Sequence, residues 1–265
     1  MLTVQNLSIG YKGKAIAESI NLHLEKGTVT ALIGRNGIGK STLIKTLSGN
    51  LKPVGGEVLI DGKRVVSLKE DEIAKIIAVV TTERQIGGAL RLEEFVGLGR
   101  IPYLGRTGRL KEEDKKIIGE ALETVGVGHK TTSYMADLSD GERQKGMIAR
   151  GLVQDTPIIL MDEPFTFLDV AARIEIFELI KRIAKEQNKA VLLSTHEVVQ
   201  ALRMADVIWV MADENAKKSI MTMEGLPHEI ISDGILDNLF PDSNVKFDKG
   251  KVDFVYKKHA IFNKI

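Results

Sequence analysis

The sequence has 265 residues, 43% of them hydrophobic and 28% charged, the ordinary mix of a globular protein with a sizeable core. Lys plus Arg number 37 and Asp plus Glu 36, a balance that argues against a chain built to coat nucleic acid or an anionic membrane. The absence of cysteine excludes disulfides, thiolate metal sites and cysteine nucleophiles. No apolar run approaches the roughly 18 residues a membrane-spanning helix needs. The opening Met1-Leu2-Thr3-Val4-Gln5-Asn6 lacks the basic-then-apolar pattern of a secretory signal, so a cytoplasmic α/β protein is expected.

In chain order, Leu7 to Tyr11 and Ile20 to Leu24 alternate at period two and read as strands, with Glu25-Lys26-Gly27 as a turn. Val29 to Ile33 is nearly all apolar, as a strand buried on both faces should be. A glycine-rich turn and a helix from about Lys40 to Ser48 follow, with Leu43, Ile44 and Leu47 on one face and Gly49 as its C-terminal cap. The stretch from about 83 to 155 is helical in pattern. Ile117, Ile118, Ala121, Leu122 and Val125 form a stripe ended by Gly126. Strand signals return at Ile158 to Met161, Val191 to Ser194 and Val207 to Met211, with a helix carrying Ile174, Phe177, Ile180 and Ala184 between the first two. Strands alternating with helices predict a mostly parallel sheet. Val245 to Tyr256 alternates around Asp248-Lys249-Gly250, a hairpin signal.

Three segments carry chemistry. Gly34-Arg35-Asn36-Gly37-Ile38-Gly39-Lys40-Ser41-Thr42 matches the P-loop pattern, lying between a buried strand and an amphipathic helix. Its glycines let successive N–H groups face phosphate oxygens, and the helix N-terminus adds a positive dipole end. Lys40 is placed for the β- and γ-phosphates, and the Ser41 hydroxyl for Mg²⁺. Asp162 and Glu163 end an apolar strand before Pro164. Asp162 suits holding Mg²⁺, directly or at one remove, and Glu163 suits orienting or deprotonating an attacking water. Leu138-Ser139-Asp140-Gly141-Glu142-Arg143-Gln144 fits a capping box between Ser139 and Glu142. Its helix runs toward Asp162, 23 residues after Ser139.

Together these segments resemble the ATP-binding subunit of an ABC transporter, whose signature is Leu-Ser-Gly-Gly-Gln. Here Asp140 and Glu142 occupy its third and fifth positions. The resemblance spans about residues 2 to 240 and brings further assignments. Tyr11 matches the aromatic that stacks on adenine; as a residue alone it is a strand-end tyrosine. Leu168-Asp169 matches the D-loop that touches the opposite subunit, and Asp169 also suits capping the next helix. His196 matches the switch histidine at the γ-phosphate. One element departs: Thr82 stands where the Q-loop has glutamine, and Glu83 and Gln85 are alternatives for its role.

The resemblance implies a P-loop NTPase α/β core (RecA-like, mostly parallel), with an N-terminal antiparallel β subdomain and an inserted α-helical subdomain. The ATPase domain would cover 1–240, with core parts 1–82 and 156–240 and the helical subdomain at about 83–155. Residues 241–265 would form a C-terminal hairpin extension. Two copies would sandwich ATP and Mg²⁺ head to tail, the P-loop of one facing Ser139, Gly141 and Glu142 of the other. Gly34, Asn36, Gly37, Gly39, Lys40, Ser41 and Thr42 would cradle the nucleotide, Ser41 and Asp162 hold the metal, and Glu163, His196 and Lys40 serve hydrolysis. Partners would be integral membrane permeases and, indirectly, a substrate-binding protein, with no nucleic acid. The location would be peripheral, on the cytoplasmic face of the inner membrane.

Cargo is hinted at by Leu98-Gly99-Arg100-Ile101-Pro102. It resembles the Leu-Gly-Arg-x-Pro pattern of bacterial importers of ferric siderophores, haem and cobalamin. Read alone, it is a helix and turn with Arg100 as a solvated charge. The alternative class is a soluble ABC ATPase of the iron–sulfur assembly type. DNA-repair and translation ABC ATPases need long inserts or a second cassette, for which this chain has no room.

Overall fold

The computed structural model describes residues 1–81, 89–105, 108–213, 220–240 and 243–257. Strands β1 (Leu2–Tyr11) and β2 (Lys14–Leu24) form a hairpin, and β3 (Val29–Ile33) leads through the glycine-rich turn into helix α1 (Lys40–Leu47). Next come β4 (Gly55–Ile60), β5 (Lys63–Arg64), the single turn α2 (Glu70–Ile73) and β6 (Ile77–Thr81). The helical stretch contains α3 (Leu92–Gly97), a 3₁₀ segment over Leu98–Tyr103, α4 (Glu112–Thr124) and α5 (Asp140–Val153). β7 (Ile158–Asp162), α6 (Val170–Glu186), β8 (Ala190–Thr195), α7 (Val198–Met204) and β9 (Val207–Asp213) follow. β10 (Ile220–Gly225), α8 (Pro227–Asp233) and a hairpin of β11 (Val245–Asp248) and β12 (Asp253–Tyr256) complete it.

Two sheets organise these elements. One is antiparallel in the order β2-β1-β4-β5. The other runs β10-β9-β3-β8-β7-β6 and is parallel except for β10, which pairs antiparallel with β9 at the edge. The central strand β3 is buried along its whole length. Its alternation divides the interior: Val29, Ala31 and Ile33 join the core under α5 and α6, and Leu32 joins the core shared with α1 and the antiparallel sheet. A fully apolar β3 is what a strand covered on both faces requires. The C-terminal ends of β3, β7 and β8 therefore meet at one edge of the sheet, where parallel α/β folds place ligands.

Some expectations change. β10 carries only half-buried residues and has no clear apolar alternation, so the sequence did not announce it. On α6 the buried face is Ile176, Phe177, Ile180, Ile183 and Ala184, while Ile174 is exposed on the outside. Arg100 is not a solvated charge. It is buried, donates through Nε to Asp114 Oδ1 at 2.9 Å and through Nη1 to the Val153 carbonyl at 2.8 Å, and stacks 4.2 Å from the Tyr103 ring centre. The Lys111 N–H and the Arg100 guanidinium hold the Asp114 carboxyl below the usual carboxylate range. Gly99 is required beside it, because a Cβ there would lie 2.2 Å from the Arg150 carbonyl oxygen. Thr82, Glu83 and Gln85 lie outside the described residues.

Candidate nucleotide site

The turn after β3 closes tightly because of where its glycines fall. A Cβ on Gly34 would lie 2.7 Å from the Met211 carbonyl oxygen, and Gly39 adopts φ +116°, a region other residues avoid. Gly39 is the N-terminal flank of α1, with no side chain capping its first N–H groups, which leaves these donors free for an anion. Lys40 is almost fully buried and donates to the Gly34 carbonyl at 2.8 Å. Arg35 grips Asp213 at the end of β9 with two bonds, Nε to Oδ2 at 2.6 Å and Nη2 to Oδ1 at 2.9 Å. The forked pair ties the phosphate turn to the neighbouring strand.

The acids arrive from β7. Glu163 leaves the strand with φ +52°, a left-handed backbone that costs a non-glycine residue about 1–2 kcal/mol. That twist turns its carboxylate across the turn: Oε1 lies 3.2 Å from Lys40 Nζ, and Oε2 lies 2.8 Å from His196 Nδ1. Asp162 Oδ1 accepts the Ser194 hydroxyl at 2.7 Å. The cavity so formed has a volume of about 450 Å³ and is lined by Asn36, Gly37, Gly39, Lys40, Ser41, Thr42, Glu163, Thr166 and His196. A buried cation, a bank of backbone donors and an acid facing a histidine make a polyanion pocket with a proton acceptor at its end.

Ser139 and Glu142 lie apart from this cavity, at the start of α5. The capping box is complete: Glu142 N–H donates to Ser139 Oγ at 3.3 Å, and Glu142 Oε2 accepts from Ser139 N–H at 2.9 Å and from the Ser139 hydroxyl at 3.0 Å. The Ser139 N–H, followed by its hydroxyl and Lys130, holds the Glu142 carboxyl below the ordinary glutamate range. Lys130 Nζ is 3.4 Å from Glu142 Oε1, and Arg143 pairs with Asp140 at 2.9 Å. Gly141 faces open space apart from Ala172, 3.9 Å from a Cβ built on it.

The family described as ABC transporter matches residues 17–166, more than half of the chain. An uncharacterized ABC transporter ATP-binding protein of Methanocaldococcus jannaschii is 38% identical over 264 residues, covering 100% of this chain and 89% of that one. The chain belongs to the ABC transporter family. It is an ATP-binding subunit with the P-loop NTPase fold. The iron(3+)-hydroxamate import ATP-binding protein FhuC of Bacillus subtilis is 36% identical over 90% of this chain and 87% of its own length. Among solved structures, a transporter described as of metal-chelate type, in an inward-facing conformation, superposes with a TM-score of 0.78 at 26% identity, covering 96% of this chain and 94% of the other.

The remaining positions of this ABC subunit are placed as follows. Tyr11 is half-exposed at the end of β1, and its hydroxyl lies 3.3 Å from Thr42 Oγ1. Asp169 caps α6 by accepting from the Ala172 N–H at 2.8 Å. Arg173, one turn into that helix, bonds the Leu168 carbonyl and pairs with Glu197, the residue after His196. Two site residues had no signal in the sequence, Thr166 in the cavity lining and Ser194 between the acids. Both are common residue types: Thr166 sits in the turn after Glu163, its N–H on the Glu163 carbonyl, and Ser194 depends on strands that are far apart in sequence. Among the described residues no helix is long and apolar enough to cross a membrane.

Proposed function

We propose that this chain binds and hydrolyses ATP with Mg²⁺ at the P-loop cavity, working as a head-to-tail pair, and that the cycle drives import of a ferric siderophore through separate permease subunits. The observation that carries the hydrolytic reading is the convergence of Lys40, Glu163 and His196 on one polyanion cavity. Lys40 would meet the β- and γ-phosphates, exchanging its contact with Glu163 for phosphate oxygens. That exchange would free Glu163 to take a proton from, or orient, the attacking water. His196, bonded to Glu163, would contact the γ-phosphate side. Tyr11 would cover the adenine.

The donor chemistry fits Mg²⁺. Ser41 and Asp162 offer a hydroxyl and a carboxylate, and Ser194 fixes one Asp162 oxygen. When bound, Mg²⁺ would neutralise charge on the transferring phosphoryl group. The signature turn, exposed and already capped, would lend Ser139 and Gly141 to the nucleotide of the second copy, with Glu142 holding the turn. ATP would then bridge two surfaces and shift the pair toward the closed state.

The same proposal takes 1–240 as the ATPase unit, with 83–155 as its helical insertion, and 241–265 as an extension. Its place is at the cytoplasmic face of the inner membrane, bound to the permease. Two features support iron-chelate cargo: the named relative imports iron(3+)-hydroxamate, and the solved transporter is of metal-chelate type; Leu98 and Ile101, exposed on the segment that Arg100 anchors, offer a surface to the permease. The deciding experiment is co-expression with siderophore permeases, followed by ATPase assays with a loaded binding protein. Retention at the membrane and stimulated phosphate release support the proposal. Absence of any integral membrane partner favours the soluble iron–sulfur assembly class instead.

A further inference from the structure

Ser194 sits at the end of β8 with no exposed surface. Its hydroxyl has one proton and two lone pairs, and the structure uses both kinds. It donates to Asp162 Oδ1 at 2.7 Å and accepts the Glu163 N–H at 2.9 Å. The direction is unambiguous, because a backbone N–H can only donate. The ladder explains why this falls to Ser194. β7 and β8 run in register through Leu160 opposite Leu192 and Met161 opposite Leu193, so the next step sets Ser194 beside Asp162. There the chain of Glu163 turns into its left-handed conformation and leaves the ladder. The Ser194 side chain thus meets an N–H that no strand neighbour can reach.

We propose that Ser194 is a positioning residue for both acids, and that it ties the metal-side and water-side groups to the strand that leads into His196. This rests on the proposed roles of Asp162 and Glu163. The hydroxyl fixes the rotation of the Asp162 carboxylate, so that its face toward Mg²⁺ is set before nucleotide arrives. It also holds the Glu163 backbone in the turn that aims the carboxylate at Lys40 and His196. A hydroxyl suits this position because both partners need it at once: alanine leaves a carboxylate oxygen and an N–H unbonded, and valine does the same at greater volume.

The test is calorimetric titration of a non-hydrolysable ATP analogue, with and without Mg²⁺, on the full chain. Wild type should bind more tightly with Mg²⁺. Ser194→Ala should lose about tenfold of that Mg²⁺-dependent gain, bind the metal-free analogue as wild type does, and raise the Mg²⁺ concentration needed for half-maximal turnover. Ser194→Thr, which keeps the hydroxyl, should recover most of both. If the alanine variant melts at a lower temperature yet keeps the full Mg²⁺ gain, the hydroxyl is only a structural bond and the proposal is overturned. If wild type itself shows no Mg²⁺ gain, the assignment of Asp162 to the metal fails, and Ser194 loses its metal-positioning role with it.

Discussion

The phosphate turn and the signature turn are both helix starts with charged residues beside them, yet the first is uncapped, the second is capped, and they are built in opposite ways. At the phosphate turn Lys40 bonds the Gly34 carbonyl locally, but the charged side-chain pairs cross the fold. Lys40 reaches Glu163 from another strand, Glu163 reaches His196 from a third, and Arg35 reaches Asp213 from a fourth. The signature turn is made almost entirely of neighbours. Ser139 with Glu142 and Arg143 with Asp140 span three residues each, and Lys130 closes the set from the loop before. The first is preorganised by the core and, on the proposed function, would bind a nucleotide in a single copy. The second is a finished local turn that acts only on something brought to it.

That contrast separates the consequences of mutation. Glu163→Gln should give the largest effect, a fall in phosphate release of about 10²–10⁴-fold, the usual contribution of a positioned general base. ATP should still bind, and the pair should accumulate as a closed dimer seen by light scattering. Wild-type turnover in this variant would remove Glu163 from the reaction. Lys40→Ala comes next. A charge-assisted bond contributes about 1.5–3 kcal/mol, so ATP affinity measured by calorimetry should drop by roughly 10- to 150-fold, in a single copy and without any need for dimerisation. Unchanged affinity would mean that the backbone donors alone hold the phosphates.

The same contrast explains what the sequence could tell. The capping box at Ser139 was legible because its bonds span three residues, and so was the Asp169 cap. The phosphate turn was legible because glycine spacing, a preceding apolar strand and a following amphipathic helix are all local. Ser194 was not: its partners are 31 and 32 residues away, and a serine near a strand end carries no mark of them. Arg100 was hidden in the same way, since its burial depends on Asp114 and the Val153 carbonyl arriving from two other helices. β10 has no apolar face of its own to show, and only its pairing with β9 makes it a strand.

The smallest expected effect probes the signature turn alone. Glu142 puts a carboxylate beside the place proposed for the phosphate of the second copy. Because the Ser139 N–H lowers its pKa, it stays charged throughout the neutral range; its part in the cap is lost only as pH falls through that lowered value. Lys130 at 3.4 Å offsets the charge. Removing Lys130 should therefore weaken ATP-driven dimerisation, and Glu142→Gln, which keeps the capping box, should strengthen it and cancel the Lys130→Ala effect in the double variant. Exposed pairs contribute about 0.2–1 kcal/mol, so each shift should be no more than about fivefold, fading at high salt as screening shortens the reach of both charges. Sedimentation of these variants in the Glu163→Gln background reads the dimer, and calorimetry reads single-copy binding. The latter should not move. A loss of single-copy ATP affinity in Lys130→Ala would show that the signature turn and the phosphate turn are not the independent halves their contacts describe.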